Sequence, residues 1–173
     1  RPAPLSVEAA TAFLRERLTA NADETFCAAC HAETAGNPLL LRELVRAIAD
    51  EGLVPIEANV PRLHALAARA GSRAVSLRLS RLPAAATALA RAVAVLGDDA
   101  DPHQATALAD LDEPTAAEAT DALVRVDILR PQAPLGFVHP LIGTAVYETL
   151  TSIDRDAGHA RAARLLSDAG AEP

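Results

Sequence analysis

The 173-residue sequence contains no lysine, no methionine and no tryptophan, and it has only one tyrosine and three phenylalanines. Each gap excludes something. Without lysine there is no Gly-x-x-x-x-Gly-Lys-[Ser/Thr] phosphate loop, so no ATP hydrolysis is expected of this chain alone. Aromatics at 2 % leave the core to Ala, Leu and Val. Ala is the best helix former and strand formers are sparse, so a mostly α fold is expected. No run is long and apolar enough for a membrane span, and no signal peptide is visible, so a cytoplasmic chain without a membrane partner is expected. Two cysteines make no disulfide framework. A chain without methionine is expected to be a trimmed piece of something longer. No Ser-His-Asp, Cys-His or paired-carboxylate arrangement points to another enzyme.

What is present is helical patterning. Ser6 is a good N-cap for "VEAATAFLRERL", where Val7, Ala10, Phe13, Leu14 and Leu18 keep helical spacing. A second helix is predicted from Asp23 to about Ala35, stopped by Gly36. Asn37 then caps "PLLLRELVRAIADE", with Pro38 at its first position and Leu40, Leu41, Leu44, Val45 and Ile48 on one face. Residues 53–72 read as irregular, or a short helix near Pro61 to Ala68, before a separate helix over 72–82. From Pro83 the pattern changes. A very apolar helix leads, then one capped by Asp101 and one capped by Asp112 with Pro114 in its first turn. "ILRP" and "LGFVH", joined by Gln132-Ala133-Pro134, read as a short β-hairpin. Helices starting at Pro140 and Asp154 follow. Three helices and then a hairpin give the order of a winged-helix domain. The expected organisation is a helical domain over 1–82, a winged helix over 83–150 and a trailing helix over 151–173 that leads to a following helical region.

Two motifs compete in "FCAACHAETAGNPLLLREL". Cys27-x-x-Cys30-His31 has the spacing of a c-type haem attachment site. It lacks a Met for the second axial position and aromatics for a pocket, so no haem is expected. The plainer reading puts Phe26 and Cys30, four apart, on the buried face of a helix, with Cys as a small hydrophobe. A zinc site would need a further ligand, for which His64 and His103 are only guesses.

The second motif is Gly36-Asn37-Pro38-Leu39, and Val138-His139-Pro140 matches it in kind: both open predicted helices with Pro first. A helix N-terminus offers N–H groups and partial positive charge, which suit phosphate. An ordinary reading stands beside this one, in which Gly-Asn-Pro is stop, cap and start, and His139 merely begins a helix. With "PLSVEAATAFLRERL", "VSLRLSRLPAAATALARAVAVLG" and "FVHPLIGTAVYETL" in the same order, the chain resembles the region after the P-loop domain in STAND signalling ATPases, most of all the large LuxR-type bacterial transcription regulators. The resemblance implies a fragment of an ATP/ADP-dependent switch. Gly36, Asn37 and Pro38 would lie against the adenine, and His139 would reach the β-phosphate of ADP. ATP or ADP would be held in the intact parent, not by this fragment alone. The chain has Val138 and Pro140 where the family has Met and Asp, so a carboxylate-dependent part of the lock has no counterpart at 140. The implied partners are the P-loop domain of the same parent chain and further copies through self-association.

Two other function classes compete: a DNA-binding winged helix, and a helical interaction scaffold with no nucleotide role. Charge bears on the first. Residues 1–82 hold ten Arg against nine acidic residues, a net of +1, whereas 83–173 hold six against fourteen, a net of −8. The predicted third helix of the second part carries Glu113, Glu118, Asp121 and Asp127 against Arg125. Phosphate contacts need Arg and Lys, so no direct nucleic-acid contact is expected.

Overall fold

The computed structural model describes residues 4–168 and residue 170. Residues 1–3, assigned above to the helical domain, and 169 and 171–173, assigned to the trailing helix, lie outside the described residues. The described chain is mostly helical, with nine α-helices and no strand among those residues. They are α1 (Val7–Arg17), α2 (Glu24–Thr34), α3 (Pro38–Asp50), α4 (Val60–Leu79), α5 (Ala84–Leu96), α6 (Pro102–Leu108), α7 (Glu113–Arg125), α8 (Pro140–Glu148) and α9 (Ser152–Asp168), with a 3₁₀ turn at Glu57–Asn59. None is long and apolar enough to cross a membrane. The chain divides into two compact units, Arg1–Ala74 and Val75–Pro173, with the division inside α4.

The first unit packs α1 and α3 against α2. Side-chain oxygens of Ser6, Asp23 and Asn37 accept backbone N–H bonds in the first turns of α1, α2 and α3, the capping expected of those residue types. On α3 the buried residues are Leu40, Leu41, Leu44, Val45 and Ile48, the five its periodicity predicts. Leu41, Leu44, Val45 and Ile48 meet Ala10, Leu14, Phe26, Cys27, Cys30 and Leu63 in one core. Val7, which the spacing of α1 places with the apolar set, is 44 % exposed.

Helix α4 corrects the sequence reading of its region. It is one continuous helix of 20 residues, not a short segment followed by a second helix. Gly71 and Ser72, which read as a break, lie in its interior, and a Cβ at Gly71 would meet nothing within 4 Å. The buried positions Leu63, Leu66, Ala67, Ala74 and Val75 keep helical spacing across them, and burial of a continuous face outweighs the ~1 kcal/mol cost of one glycine.

In the second unit α5 is the hub, in contact with α6, α7, α8 and α9. Ala86, Leu89, Ala90, Ala92 and Val93 are buried, whereas Arg91 faces solvent. Its alanines let four neighbours approach closely. Asp101 and Asp112 cap α6 and α7. The bond from Thr115 holds the Asp112 carboxyl below its ordinary value. That cap is therefore present at neutral pH and lost as pH falls through the lowered value.

The predicted β-hairpin is not formed. Segments 127–130 and 135–138 do approach: the Arg130 N–H donates to the Gly136 carbonyl (2.8 Å) and the Val138 N–H to the Ile128 carbonyl (3.1 Å), with one antiparallel bridge at Leu129 and Phe137. Leu135 pairs elsewhere, exchanging two 2.8 Å bonds with Ala100. Pro131 and Pro134 have no N–H to extend the ladder toward the turn. The result is two isolated bridges, so the wing expected from "ILRP" and "LGFVH" is absent as a strand pair.

Candidate functional site

The first candidate, Gly36-Asn37-Pro38, is built by the α2–α3 turn. Ala35 and Gly36 both lie in the left-handed region, with φ of 44° and 68°. This double reversal aims Asn37 at the start of α3, where its Oδ1 accepts from the N–H of Leu39 (3.0 Å) and of Leu40 (3.4 Å). Pro38 is the first helical residue, whose missing N–H costs nothing there. The N–H groups that a phosphate would seek at this end are thus already engaged by Asn37.

The turn also receives the N-terminal segment. The Leu5 N–H donates to the Gly36 carbonyl (2.8 Å), and His31 Nε2 donates to the Leu5 carbonyl (3.0 Å). A Cβ on Gly36 would lie 2.2 Å from the Leu5 oxygen and 3.0 Å from His31 Nε2. Gly36 therefore has a structural duty that its sequence context did not reveal. The only local hint is a glycine following a helix stop.

The second candidate, His139, lies in the second unit, whereas Gly36, Asn37 and Pro38 lie in the first. It is the N-cap of α8: its Nδ1 accepts from the Leu141 N–H at 3.2 Å. From the sequence it reads as a residue at the helix start with little weight in folding, because a surface His there buries little. An accepting Nδ1 is unprotonated, so the neutral ring carries its proton on Nε2. Beside the first turn of α8 is a groove of about 370 Å³, lined by Asp98, Phe137, Pro140, Gly143, Thr144 and Tyr147, among others. Its one charged lining residue is Asp98, which accepts from the Phe137 N–H (3.1 Å). With the Arg130 guanidinium 3.9 Å from that carboxylate, the lining offers a phosphate no net positive charge.

The Cys27–Cys30–His31 motif sits on α2 with both thiols and Phe26 fully buried in the first core. Burial pushes the Cys30 thiol up to about 12, with Cys27 adding to the effect, and raises Cys27 as well. His31 spends Nε2 on Leu5. Haem attachment needs two reachable thiols and an open imidazole nitrogen, and this arrangement opposes both. His64 is engaged too, its Nδ1 2.6 Å from Glu33 Oε1, and among the described residues no three His, Cys, Asp or Glu side chains form a metal-binding group. At neutral pH such a thiol as Cys30 has roughly a thousandth of the thiolate of an exposed cysteine. Maleimide labelling of the folded chain is accordingly expected to be very slow, and to become fast for both thiols in urea. Labelling of the native chain at the rate of free cysteine would show the core to be open.

Comparison with known protein families, with curated proteins and with solved structures gave no match.

Proposed function

We propose that this chain is a regulatory portion of a nucleotide-dependent signalling switch of STAND type, from a cytoplasmic transcription regulator akin to the LuxR-type group, in which ADP or ATP bound with a P-loop domain elsewhere in the parent sets the conformation. The observation that carries the reading is the cap bond at His139. Its Nδ1 accepts the Leu141 N–H, and a neutral ring bonded in this way carries its proton on Nε2, the form that can donate to a phosphate oxygen. The order of elements supports the same reading: α3 opened by Gly36-Asn37-Pro38, then α5, α6 and α7, then bridged segments leading into α8. In this reading the second unit is a winged helix whose wing has shrunk to the bridges at Ala100 and Leu129. Pro38 would pack on adenine, and the acidic α7 would turn away from DNA. Parent copies would associate in the active state.

The test uses two variants of the intact parent. His139→Ala removes both cap and donor, whereas His139→Asn keeps an N-capping side chain and removes the imidazole. A hydrogen bond to a charged group contributes about 1.5–3 kcal/mol, so ADP is expected to bind roughly ten- to a hundredfold more weakly to both variants. Only His139→Ala should also lose about 1 kcal/mol of stability. Unchanged ADP affinity in both, with reporter output unaltered, would return the chain to an interaction scaffold.

A further inference from the structure

We propose that the groove between the α4–α5 connection and α7 docks a basic amphipathic helix of a partner protein, a role that needs no nucleotide. The groove has a volume of about 460 Å³ and lies wholly within the second unit. Its long wall is a stripe of α7 and its C-cap: Thr115, Glu118, Ala119, Ala122, Arg125 and then Val126, which recur at helical spacing. Leu82 and Pro83 form the facing wall. The walls are tied together, because the Arg78 guanidinium donates to the Val126 carbonyl (2.7 Å) where α7 ends. A preformed trough loses little order on binding.

The floor and the rim differ in chemistry. Ala119 and Ala122 are buried and small, so the floor is apolar and leaves room for bulky side chains of a visitor. A stripe that runs the length of a helix matches i, i+3, i+4, i+7 anchors better than it matches a compact ligand. The rim carries exposed Glu118 and Asp121 against Arg125, and the Arg78 guanidinium closes the Val126 end. Residues 83–173 as a whole have a net charge of −8. Charge complementarity therefore selects a helix with Lys or Arg beside its apolar face and rejects a nucleic-acid backbone. In a winged-helix order α7 is the element that would enter the major groove, and here that face is acidic and holds a side-chain trough.

The probe is a fluorescently labelled synthetic Leu/Lys amphipathic helix, titrated with the full chain and read by anisotropy. Saturable binding is expected. Glu118→Arg/Asp121→Arg should weaken it about tenfold or more, and Glu118→Gln/Asp121→Asn should weaken it less. Glu24→Arg/Glu57→Arg makes the same change in net charge in the first unit and should leave affinity within about twofold. Arg125→Glu should strengthen binding. A Ser/Lys peptide of equal charge should bind about tenfold more weakly or worse, since it brings nothing for the apolar floor. Equal losses in the two Arg double variants would reduce the effect to overall charge and overturn the proposal. So would the absence of saturable binding, equal affinity for the Ser/Lys peptide, or tighter binding to duplex DNA than to the Leu/Lys helix.

Discussion

Phe26→Ala is expected to destabilise the first unit by about 3–5 kcal/mol, the usual cost of emptying a fully buried phenylalanine site. Phe26 has no exposed surface and is the largest fully buried side chain of the core it shares with Ala10, Leu14, Cys27, Cys30, Leu41 and Leu44. Several of those neighbours are too short to collapse into the space. A unit of 74 residues has a total stability of roughly 4–11 kcal/mol, so this one change removes a large part of it. Phe26→Leu keeps most of the volume and should cost about 1–1.5 kcal/mol. Tryptophan is absent and the single tyrosine, Tyr147, lies in the second unit, so fluorescence will not see the loss. Amide hydrogen exchange over 24–34 and 38–50 will. Unaltered protection there in Phe26→Ala would mean that α2 is not anchored by this ring. The same result would reopen the question of what the Cys-x-x-Cys-His spacing is for.

How legible each feature was depends on how local its physics is. The caps at Ser6, Asn37, Asp101 and Asp112 could be read directly, because a cap is a bond between a side chain and a backbone two or three residues on; Asp23, read as the first residue of α2, is its cap as well. The buried face of α3 could be read because apolar residues recur at 3.6. The hairpin could not. Leu135, which the hairpin register sets opposite Pro131, pairs instead with the distant Ala100. Nothing in "ILRPQAPLGFVH" announces that competition. Gly71-Ser72 reads as local punctuation, but buried residues on both sides of it keep α4 continuous. Of the candidate site residues, Asn37 and Pro38 take the cap and first-turn positions read for them. The ring-nitrogen cap of His139 and the strap on Gly36 depend on geometry that residue type alone does not specify.

Gly36→Ala is expected to cost the first unit about 3–4 kcal/mol, and Gly52→Ala only about 1–2 kcal/mol. The two glycines share one property and differ in another. Both have positive φ, 68° and 59°, so an added Cβ costs either about 1–2 kcal/mol of backbone energy. At Gly52 that is all, because the new Cβ would meet nothing within 4 Å. At Gly36 it would sit 2.2 Å from the Leu5 carbonyl oxygen. That atom belongs to backbone and cannot swing aside as the end of a long side chain would. Residue 5 must lift away. With it go the bond from Leu5 N–H to Gly36 and the bond from His31 Nε2 to Leu5, each contributing about 1 kcal/mol, and the contact of Leu5 with the core. His31→Ala, which removes one of the two bonds and keeps Gly36, should fall between the glycine variants. Urea midpoints followed by exchange in α1 and α2 measure all three. Equal costs for Gly36→Ala and Gly52→Ala would show that the strap contributes nothing beyond backbone strain. If the difference is found, loss of nucleotide binding in Gly36→Ala would report a displaced N-terminal segment rather than a lost nucleotide contact. Pro38 and His139 are then the positions at which the nucleotide reading stands or falls.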